Sequence, residues 1–280
     1  MRQGYGGRRH VTVGAVAWQS FVALGDSFTE GLDDPYPTGT GFRGWADLVA
    51  QALATRTGGF GYANLAVRGR LFDRVVSEQV PAALAMRPAL VSFAAGGNDV
   101  LRRNFDPEAL VRRFDATIGQ IREAGAEVIL FRFADLTSRL PAQRVLAPRV
   151  AILNDAVGET AERYGARLVD LWSDPEFANP ALWSVDRLHL SAAGHRRVAA
   201  RVLAALGMEA DPSWWRCPPL PPPRSWLAAR TADAVWAGRH LAPWLKRRIT
   251  GRSSGDTVTA KRPQLAPIPI PAPDGGPPTE

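Results

Sequence analysis

Short apolar segments alternate with helical patterns along most of this chain of 280 residues. Five of the segments are predicted strands, and they span residues 20–24, 62–66, 89–95, 127–133 and 167–171. Strands that are apolar along their whole length and alternate with helices are typical of a mostly parallel sheet with helices on both faces. Functional sites of such sheets gather at the carboxyl ends of the strands. The pattern therefore predicts an α/β fold, and candidate functional residues are expected just after strands.

Helical patterns fill the intervals between these strands. Apolar residues recur at helical spacing in residues 41–55, 71–86, 107–123, 148–164 and 191–206. Asp106 and Ser191 are predicted N-caps, and Gly165 is expected to end the helix before it. Pro81 is expected to bend or break the second helix. A further apolar run at 181–185 is not predicted to be a strand.

The composition changes beyond Asp211. Fourteen of the 23 prolines lie in residues 211–280, and proline has no N–H to donate to a helix or a sheet. The chain is therefore predicted to consist of a basic arm at 1–17, one folded domain at 18–210, a Trp- and Pro-rich segment at 211–250 and a disordered Pro-rich tail at 251–280. The third of these could contain an amphipathic helix, whose apolar face would hold Leu227, Ala234, Leu241 and Leu245.

The formal net charge of +7 resides in the two ends of the chain, since acidic and basic residues nearly balance between residues 21 and 210. A folded region with almost no net charge attracts phosphates only weakly, so nucleic-acid binding is not expected. The single cysteine, Cys217, excludes an intrachain disulfide. No run is long and apolar enough for a signal segment or a membrane span, and a cytoplasmic protein is expected. No feature predicts an oligomeric state.

A Gly-rich turn that contains a serine follows the first strand. Residues 25–31 read Gly-Asp-Ser-Phe-Thr-Glu-Gly, which places Ser27 at the expected rim of the sheet. Glycines on both sides allow a sharp turn and the close approach of a substrate. A serine hydroxyl is a weak nucleophile and requires a neighbouring base. The motif fits a nucleophile, and it equally fits a turn whose serine caps the next helix.

Histidine is the expected base, and the chain has four. His10 and His240 lie in the two ends, whereas His195 falls inside a predicted helix, where it is expected to be solvated or to act as a cap. His189 lies just before that helix, three residues after Asp186. In a loop, this spacing lets the carboxylate accept from Nδ1–H while Nε2 takes the serine proton. The same spacing also occurs in surface salt bridges.

Two further motifs follow other strands. Asn98 lies in residues 94–99, which read Ala-Ala-Gly-Gly-Asn-Asp, and its side-chain amide could donate to a developing oxyanion or could cap a helix. Gly69 ends residues 64–69, after the second strand. Its backbone N–H could donate to the same oxygen, or it could be an ordinary turn glycine.

These four motifs, in this order, resemble the sequence blocks of the SGNH hydrolase family, also called GDSL esterases and lipases. The matching residues are Gly25-Asp26-Ser27, Gly69, Gly96-Gly97-Asn98-Asp99, and the pair Asp186 and His189. Phe28 stands where the family name has leucine. By the strand pattern, the resemblance covers roughly residues 18–207. It implies an SGNH/flavodoxin-like fold, a three-layer α/β/α sandwich around a five-stranded parallel sheet.

The resemblance also implies an activity and a role for each matched residue. Ser27 is implied to be the nucleophile, His189 the general base and then the general acid, and Asp186 the residue that orients His189. The implied oxyanion hole consists of the backbone N–H groups of Ser27 and Gly69 and the Asn98 amide. The implied reaction is hydrolysis of a small-molecule carboxylic ester through an acyl-enzyme. It needs no cofactor or metal, and no His, Cys and Asp residues recur at metal-ligand spacing.

Other functions fit the same sequence. An acyltransferase or a carbohydrate O-acetyl esterase would share the fold and differ only in the pocket, for which residues 34–45 are candidates, although they fit plain loop packing equally well. A different class is a non-catalytic protein that binds a surface or a membrane, with the basic C-terminal segment as an amphipathic anchor whose tryptophans lie at the interface. Pro243 and Asp233 argue against an unbroken apolar face there.

Overall fold

One mixed sheet forms the centre of the computed structural model, which describes residues 18–37, 39–57, 59–140, 143–220, 222, 225–243 and 253–269. Its strands are β1 (Ser20–Gly25), β2 (Gly61–Asn64), β3 (Leu90–Ala94), β4 (Glu127–Arg132), β5 (Arg167–Asp170) and β6 (Arg262–Pro267). Their order across the sheet is β5-β4-β3-β1-β2-β6. The first five strands run parallel, with Val22 of β1 opposite both Ala63 and Val91, whereas β6 runs antiparallel to β2.

The connections between the strands are mostly helical. The helices are α1 (Ser27–Glu30), α2 (Gly44–Thr57), α3 (Phe72–Arg74), α4 (Val80–Ala85), α5 (Gly97–Val100), α6 (Pro107–Glu123), α7 (Gln143–Tyr164), α8 (Ala192–Ala205) and α9 (Trp226–Trp236). A π-helical segment, Val75–Gln79, joins α3 to α4. Pro81 lies in the first turn of α4, where a missing N–H is tolerated. Residues 72–85 remain helical throughout, so the structure shows a π-helical irregularity just before Pro81 and no break in the helix.

Alternate residues of each strand pack on opposite faces of the sheet. Phe21 of β1 belongs to a buried core that includes Trp45 of α2. Its neighbour Val22 belongs to a second core, which includes Phe114 of α6 and Leu153 of α7. Helices thus cover both faces, and the predicted three-layer α/β/α sandwich is confirmed.

The number of strands differs from the predicted five. β6 comes from the segment 251–280, which was predicted to be disordered, and it pairs with β2. Pro263 and Pro267 are compatible with this pairing because β6 is an edge strand, which makes hydrogen bonds on one side only. Residues 253–269 therefore complete the folded unit, and the predicted boundary at 210 does not separate a domain from a tail.

A partly buried lysine fixes the approach to β6. The Nζ atom of Lys261 lies 2.8 Å from Oδ1 of Asp47 and donates to the carbonyl oxygens of Phe42 and Arg43 at 3.0 and 2.6 Å. The Asp47 side chain is 1% exposed and also accepts from the Tyr62 hydroxyl at 2.6 Å. The C-terminal segment is thus tied to α2 and β2 by charge as well as by strand pairing.

Part of the amphipathic helix predicted within 211–250 is present as α9. Leu227 is 68% exposed and Ala234 is also exposed, so the predicted apolar face points away from the protein there. The Leu241 side chain, Leu245 and the predicted basic arm at 1–17 lie outside the described residues. Within the part of the chain that the structure describes, no helix is long and apolar enough to cross a membrane.

Candidate active site

Ser27 is the first residue of α1, and only Asp26 separates it from the carboxyl end of β1. Gly25 has a φ of 151°, and a Cβ at this position would lie 2.5 Å from the carbonyl oxygen of Ala94 on β3, so the turn requires glycine. Asp26 caps α1, because its Oδ1 accepts the N–H of Phe28 at 3.1 Å. The turn leaves Ser27 at the rim of the sheet with 9% of its surface exposed.

A buried glutamine holds this turn from the far side. The Gly25 N–H donates to Gln79 Oε1, and Gln79 Nε2 donates to the Gly25 carbonyl, both at 2.9 Å. Gln79 ends the π-helical segment and is 4% exposed. The sequence analysis did not single out Gln79, because one glutamine in a helical pattern carries no signal of its long-range partner.

The predicted base and carboxylate lie within hydrogen-bond reach of Ser27. His189 Nε2 lies 3.0 Å from Ser27 Oγ, and His189 Nδ1 lies 2.5 Å from Asp186 Oδ2. The other oxygen of Asp186 accepts the backbone N–H groups of Leu188 and His189 at 2.9 and 3.0 Å. The loop that carries Asp186 and His189 is closed by a hydrogen bond of 2.8 Å from the Ser184 N–H to the His189 carbonyl.

Burial disfavours the charged forms of both Asp186 and His189. The attraction between the two side chains is stronger than this effect of burial. Burial alone would raise the pKa of Asp186, but the hydrogen bonds and charge of His189 and the Leu188 N–H lower that pKa to about 2. Burial likewise lowers the pKa of His189, but the hydrogen bond and charge of Asp186 raise it above its usual value. Burial raises the pKa of Asp26 to about 6, against the hydrogen bond from Phe28.

Asn98 of α5 lies beside the Ser27 turn and is held on both sides. Its Nδ2 donates to Asp26 Oδ2 at 2.9 Å and to the Arg70 carbonyl at 3.0 Å. The amide is therefore oriented by the residue that precedes Ser27 and by the residue that follows Gly69.

Gly69 occupies the turn after β2 with a φ of 72°. Its carbonyl accepts from Ser253 Oγ at 3.3 Å. A Cβ at Gly69 would lie 2.3 Å from Ser253 Oγ. The described residues that line the cavity at Ser27 include Asn98 but not Gly69. The structure thus places Gly69 next to the Asn98 contact and beneath the segment that leads to β6.

A third acidic residue lies near the base. One oxygen each of Asp33 and Asp186 and a ring nitrogen of His189 lie within 4.8 Å of one another. The sequence analysis found no such cluster because Asp33 is distant in sequence. The charge of Asp33 adds to that of Asp186 in raising the pKa of His189.

His195 is buried, and the prediction of a solvated or capping residue was wrong. It is 1% exposed, its Nδ1 accepts the Trp45 N–H at 3.3 Å, and its Nε2 donates to the Leu32 carbonyl at 3.1 Å. Burial lowers its pKa to about 4. Both ring nitrogens are occupied, so His195 connects α8 to α2 and to the loop after α1.

A cavity of about 100 Å³ adjoins Ser27, Asn98 and His189. Its walls are almost entirely apolar, and they come from α7, the segment after β4 and the segment before α8. The side chains that form them include Leu146, Val150, Leu153, Ala134, Leu136 and Trp183. Of the predicted loop 34–45, none of the described residues lines this cavity.

Comparison with protein families gives one match that covers more than half of the chain. The model of the GDSL-like Lipase/Acylhydrolase family matches residues 23–197, which include all four sequence motifs. No protein of curated function matches the sequence significantly.

Several solved structures share the fold. The crystal structure of TesA has a TM-score of 0.54 and 24% identity, and the match covers 67% of this chain and 98% of TesA. LAE5, an alpha/beta hydrolase enzyme from the metagenome of Lake Arreo, has a TM-score of 0.57 and 23% identity, over 69% of this chain and 97% of LAE5. Axe2, an acetylxylan esterase from Geobacillus stearothermophilus, has a TM-score of 0.57 and 19% identity, over 71% of this chain and 97% of Axe2.

Proposed function

The chain belongs to the GDSL-like lipase/acylhydrolase family, and we propose that it is a serine ester hydrolase that acts through an acyl-enzyme on Ser27. The observation that carries this proposal is one continuous hydrogen-bonded chain. It runs from Ser27 Oγ to His189 Nε2 at 3.0 Å, and from His189 Nδ1 to Asp186 Oδ2 at 2.5 Å. A hydroxyl, an imidazole and an orienting carboxylate in this sequence of contacts form the arrangement that activates a serine.

In the first half of the reaction, Ser27 Oγ attacks the ester carbonyl carbon while its proton passes to His189 Nε2. Asp186 fixes the Nδ1–H tautomer and stabilises the imidazolium that forms. The tetrahedral intermediate collapses as the bond to the leaving oxygen breaks, and His189 returns the proton to that oxygen. The alcohol departs and the acyl group remains on Ser27.

Negative charge develops on the carbonyl oxygen during the attack. The proposed donors are the backbone N–H groups of Ser27 and Gly69 and the Asn98 amide. Support for Asn98 comes from its two contacts, with Asp26 Oδ2 and the Arg70 carbonyl, which fix the plane of the amide before a substrate arrives. Both N–H groups of this amide have acceptors in the structure, so one of the two contacts must give way when the amide donates to the oxyanion.

In the second half, water attacks the acyl-enzyme and His189 again takes and returns a proton. An alcohol in place of water would give transfer instead of hydrolysis. Adding a short alcohol and measuring the ratio of new ester to free acid therefore separates an acyltransferase from a hydrolase. A large excess of free acid is expected.

The test compares p-nitrophenyl butyrate hydrolysis by the wild type and by Ser27→Ala. Loss of the nucleophile is expected to lower kcat by about 1,000-fold or more. The matched control is Ser173→Ala, which removes an exposed hydroxyl that donates to Asp170 and should leave the rate unchanged. A p-nitrophenyl phosphonate should modify Ser27, as peptide mass spectrometry would show. Equal activity of the wild type and Ser27→Ala would reject the mechanism, and a non-catalytic binding protein would then be the better reading.

A further inference from the structure

We propose that the preferred substrates carry an uncharged, apolar acyl chain of roughly seven to ten carbons, which lies in the cavity beside Ser27. This inference rests on the proposed function, because the chain must be attached to the carbonyl that Ser27 attacks. It concerns the substrate class and excludes the short acetyl group of a carbohydrate ester as the best substrate.

The walls of the cavity carry the first part of the argument. Leu146, Val150 and Leu153 lie on consecutive turns of α7 and form one side. Leu136 and Trp183 come from two other segments. Each methylene that these apolar walls remove from water contributes favourable free energy to substrate binding. The same walls offer a sugar no hydrogen-bond partners.

The polar side chains at the cavity carry the second part. Thr137 Oγ1 already donates to Asp135 Oδ1 at 2.6 Å. Both ring nitrogens of His195 are bound to backbone groups. Asn98 is bound to Asp26 and to a backbone carbonyl.

Among the described lining residues, the polar groups are therefore engaged within the protein or belong to the Ser27 and His189 pair. Sugar hydroxyls would lose their hydrogen bonds to water on entering and would gain few in return. A charged end on the acyl chain would face the same cost without a counter-ion. An apolar, uncharged chain is the class that the lining fits.

The size of the cavity sets the chain length. Its volume is about 100 Å³, and on this measure a water-sized group takes up roughly 10–15 Å³. A methylene is close to water in size, so the cavity holds about seven to ten such groups. Acetyl and butyryl groups would leave much of it empty, and a dodecanoyl group would extend beyond it.

The first experiment measures kcat/KM for p-nitrophenyl acetate, butyrate, octanoate and dodecanoate below their micelle concentrations. Each buried methylene contributes about 0.8 kcal/mol, so kcat/KM is expected to rise about fourfold per methylene at first. For the six added methylenes this gives a rise of up to about 4,000-fold from acetate to octanoate, and little further rise is expected for dodecanoate. A parallel series of alkyl acetates, in which only the alcohol lengthens, should stay nearly flat.

Two substitutions test the location of the chain. Leu146→Trp and Leu136→Trp fill the cavity from different walls, and both residues are only partly buried, so the fold should tolerate the change. Each is expected to lower kcat/KM for octanoate by about tenfold or more while changing that for acetate less than threefold. Val145→Trp is the matched control, because Val145 is the preceding residue of α7 and is 54% exposed.

The outcomes distinguish this inference from the proposed function. A flat or falling acyl series, with acetate hydrolysis that still depends on Ser27, would overturn the substrate class and leave the mechanism standing. Length dependence only in the alkyl acetates would overturn the placement of the acyl chain. No Ser27-dependent hydrolysis of any ester would overturn both. Selective loss of octanoate hydrolysis in both cavity variants, and not in Val145→Trp, would support the proposal.

Discussion

Arg187 and Asp233 form an ion pair across 46 residues of sequence, with Arg187 Nη2 2.7 Å from Asp233 Oδ1. The same guanidinium lies over the ring of Trp236, 4.6 Å from its centre. Arg187 immediately follows Asp186 and has a φ of 63°, a left-handed conformation that is uncommon for arginine. Helix α9, which supplies both partners, comes after the residues that the family model matches. An element outside the family's common core therefore contacts the loop that holds His189.

Removing this contact is expected to loosen the loop. Asp233→Ala should lower kcat about two- to fivefold, since a half-exposed ion pair contributes roughly 0.2–1 kcal/mol. KM for a given ester should stay nearly constant, because no described residue of α9 lines the cavity. Steady-state kinetics measures both. The control is Arg230→Ala on the same helix, whose guanidinium lies 3.9 Å from the other oxygen of Asp233. An unchanged kcat in Asp233→Ala would show that the loop is held without α9.

The pH dependence of kcat/KM should report the ionisation of His189. Only the neutral imidazole can accept the Ser27 proton, and Asp186 raises its pKa above the usual 6.5. Activity is therefore expected to fall as the pH drops through a midpoint above 6.5.

In Asp186→Asn the attraction disappears while burial, which lowers the pKa of His189, remains. The midpoint should shift to lower pH, and the plateau at high pH should fall by about 100-fold or more because the tautomer is no longer fixed. A rate profile from pH 5 to 9 for both proteins measures the shift. An equal pH midpoint in the wild type and Asp186→Asn would show that the pH dependence of the rate does not come from the His189 and Asp186 pair.

Gln79 is expected to affect stability and turnover together. In Gln79→Leu the Gly25 N–H loses its partner inside the protein, whereas the Gly25 carbonyl keeps the Val67 N–H at 3.3 Å. An unpaired buried donor costs about 1–3 kcal/mol of the free energy of unfolding, measurable by urea denaturation. A shift of the Ser27 turn should also lower kcat more than it changes KM. The exposed neighbour Ser77 supplies the control, since Ser77→Ala should change neither quantity. If kcat of Gln79→Leu equals that of the wild type, the turn keeps its geometry without the glutamine.

Lys261 should be a main contributor to the stability of the C-terminal strand. Lys261→Met leaves the buried Asp47 carboxylate without its cation, and the free energy of unfolding is expected to fall by about 3 kcal/mol. Arg112→Met provides the contrast, because its ion pair with Glu108 is exposed and its loss should cost less than about 0.5 kcal/mol. Adding Asp47→Asn to Lys261→Met should recover part of the loss, since the unpaired charge is removed. Equal stability of the wild type and Lys261→Met would contradict a structural role for the pair.

The predictions for residues 262–267 and for His195 were wrong for the same reason. Proline content is a local property, and it argues against a strand only where both sides of the strand must bond. β6 lies at an edge because it pairs with β2 at the end of the strand order, which the local sequence does not show. His195 is followed by two arginines in the sequence, so its neighbours suggest solvent. Its partners, the Trp45 N–H and the Leu32 carbonyl, lie about 150 residues away along the chain.

The sequence by itself determined the class of fold and named the residues at the centre of the candidate site. Apolar strands, helix periods and short motifs depend on residues close together in the chain, so they can be recognised without a structure. Only the tertiary structure decided that Ser27 and His189 meet across 162 residues, that Asn98 reaches Asp26 across 72, and that a sixth strand completes the sheet. These contacts depend on which strand ends lie side by side and which surfaces pack, and that choice is made by the burial of the whole chain at once.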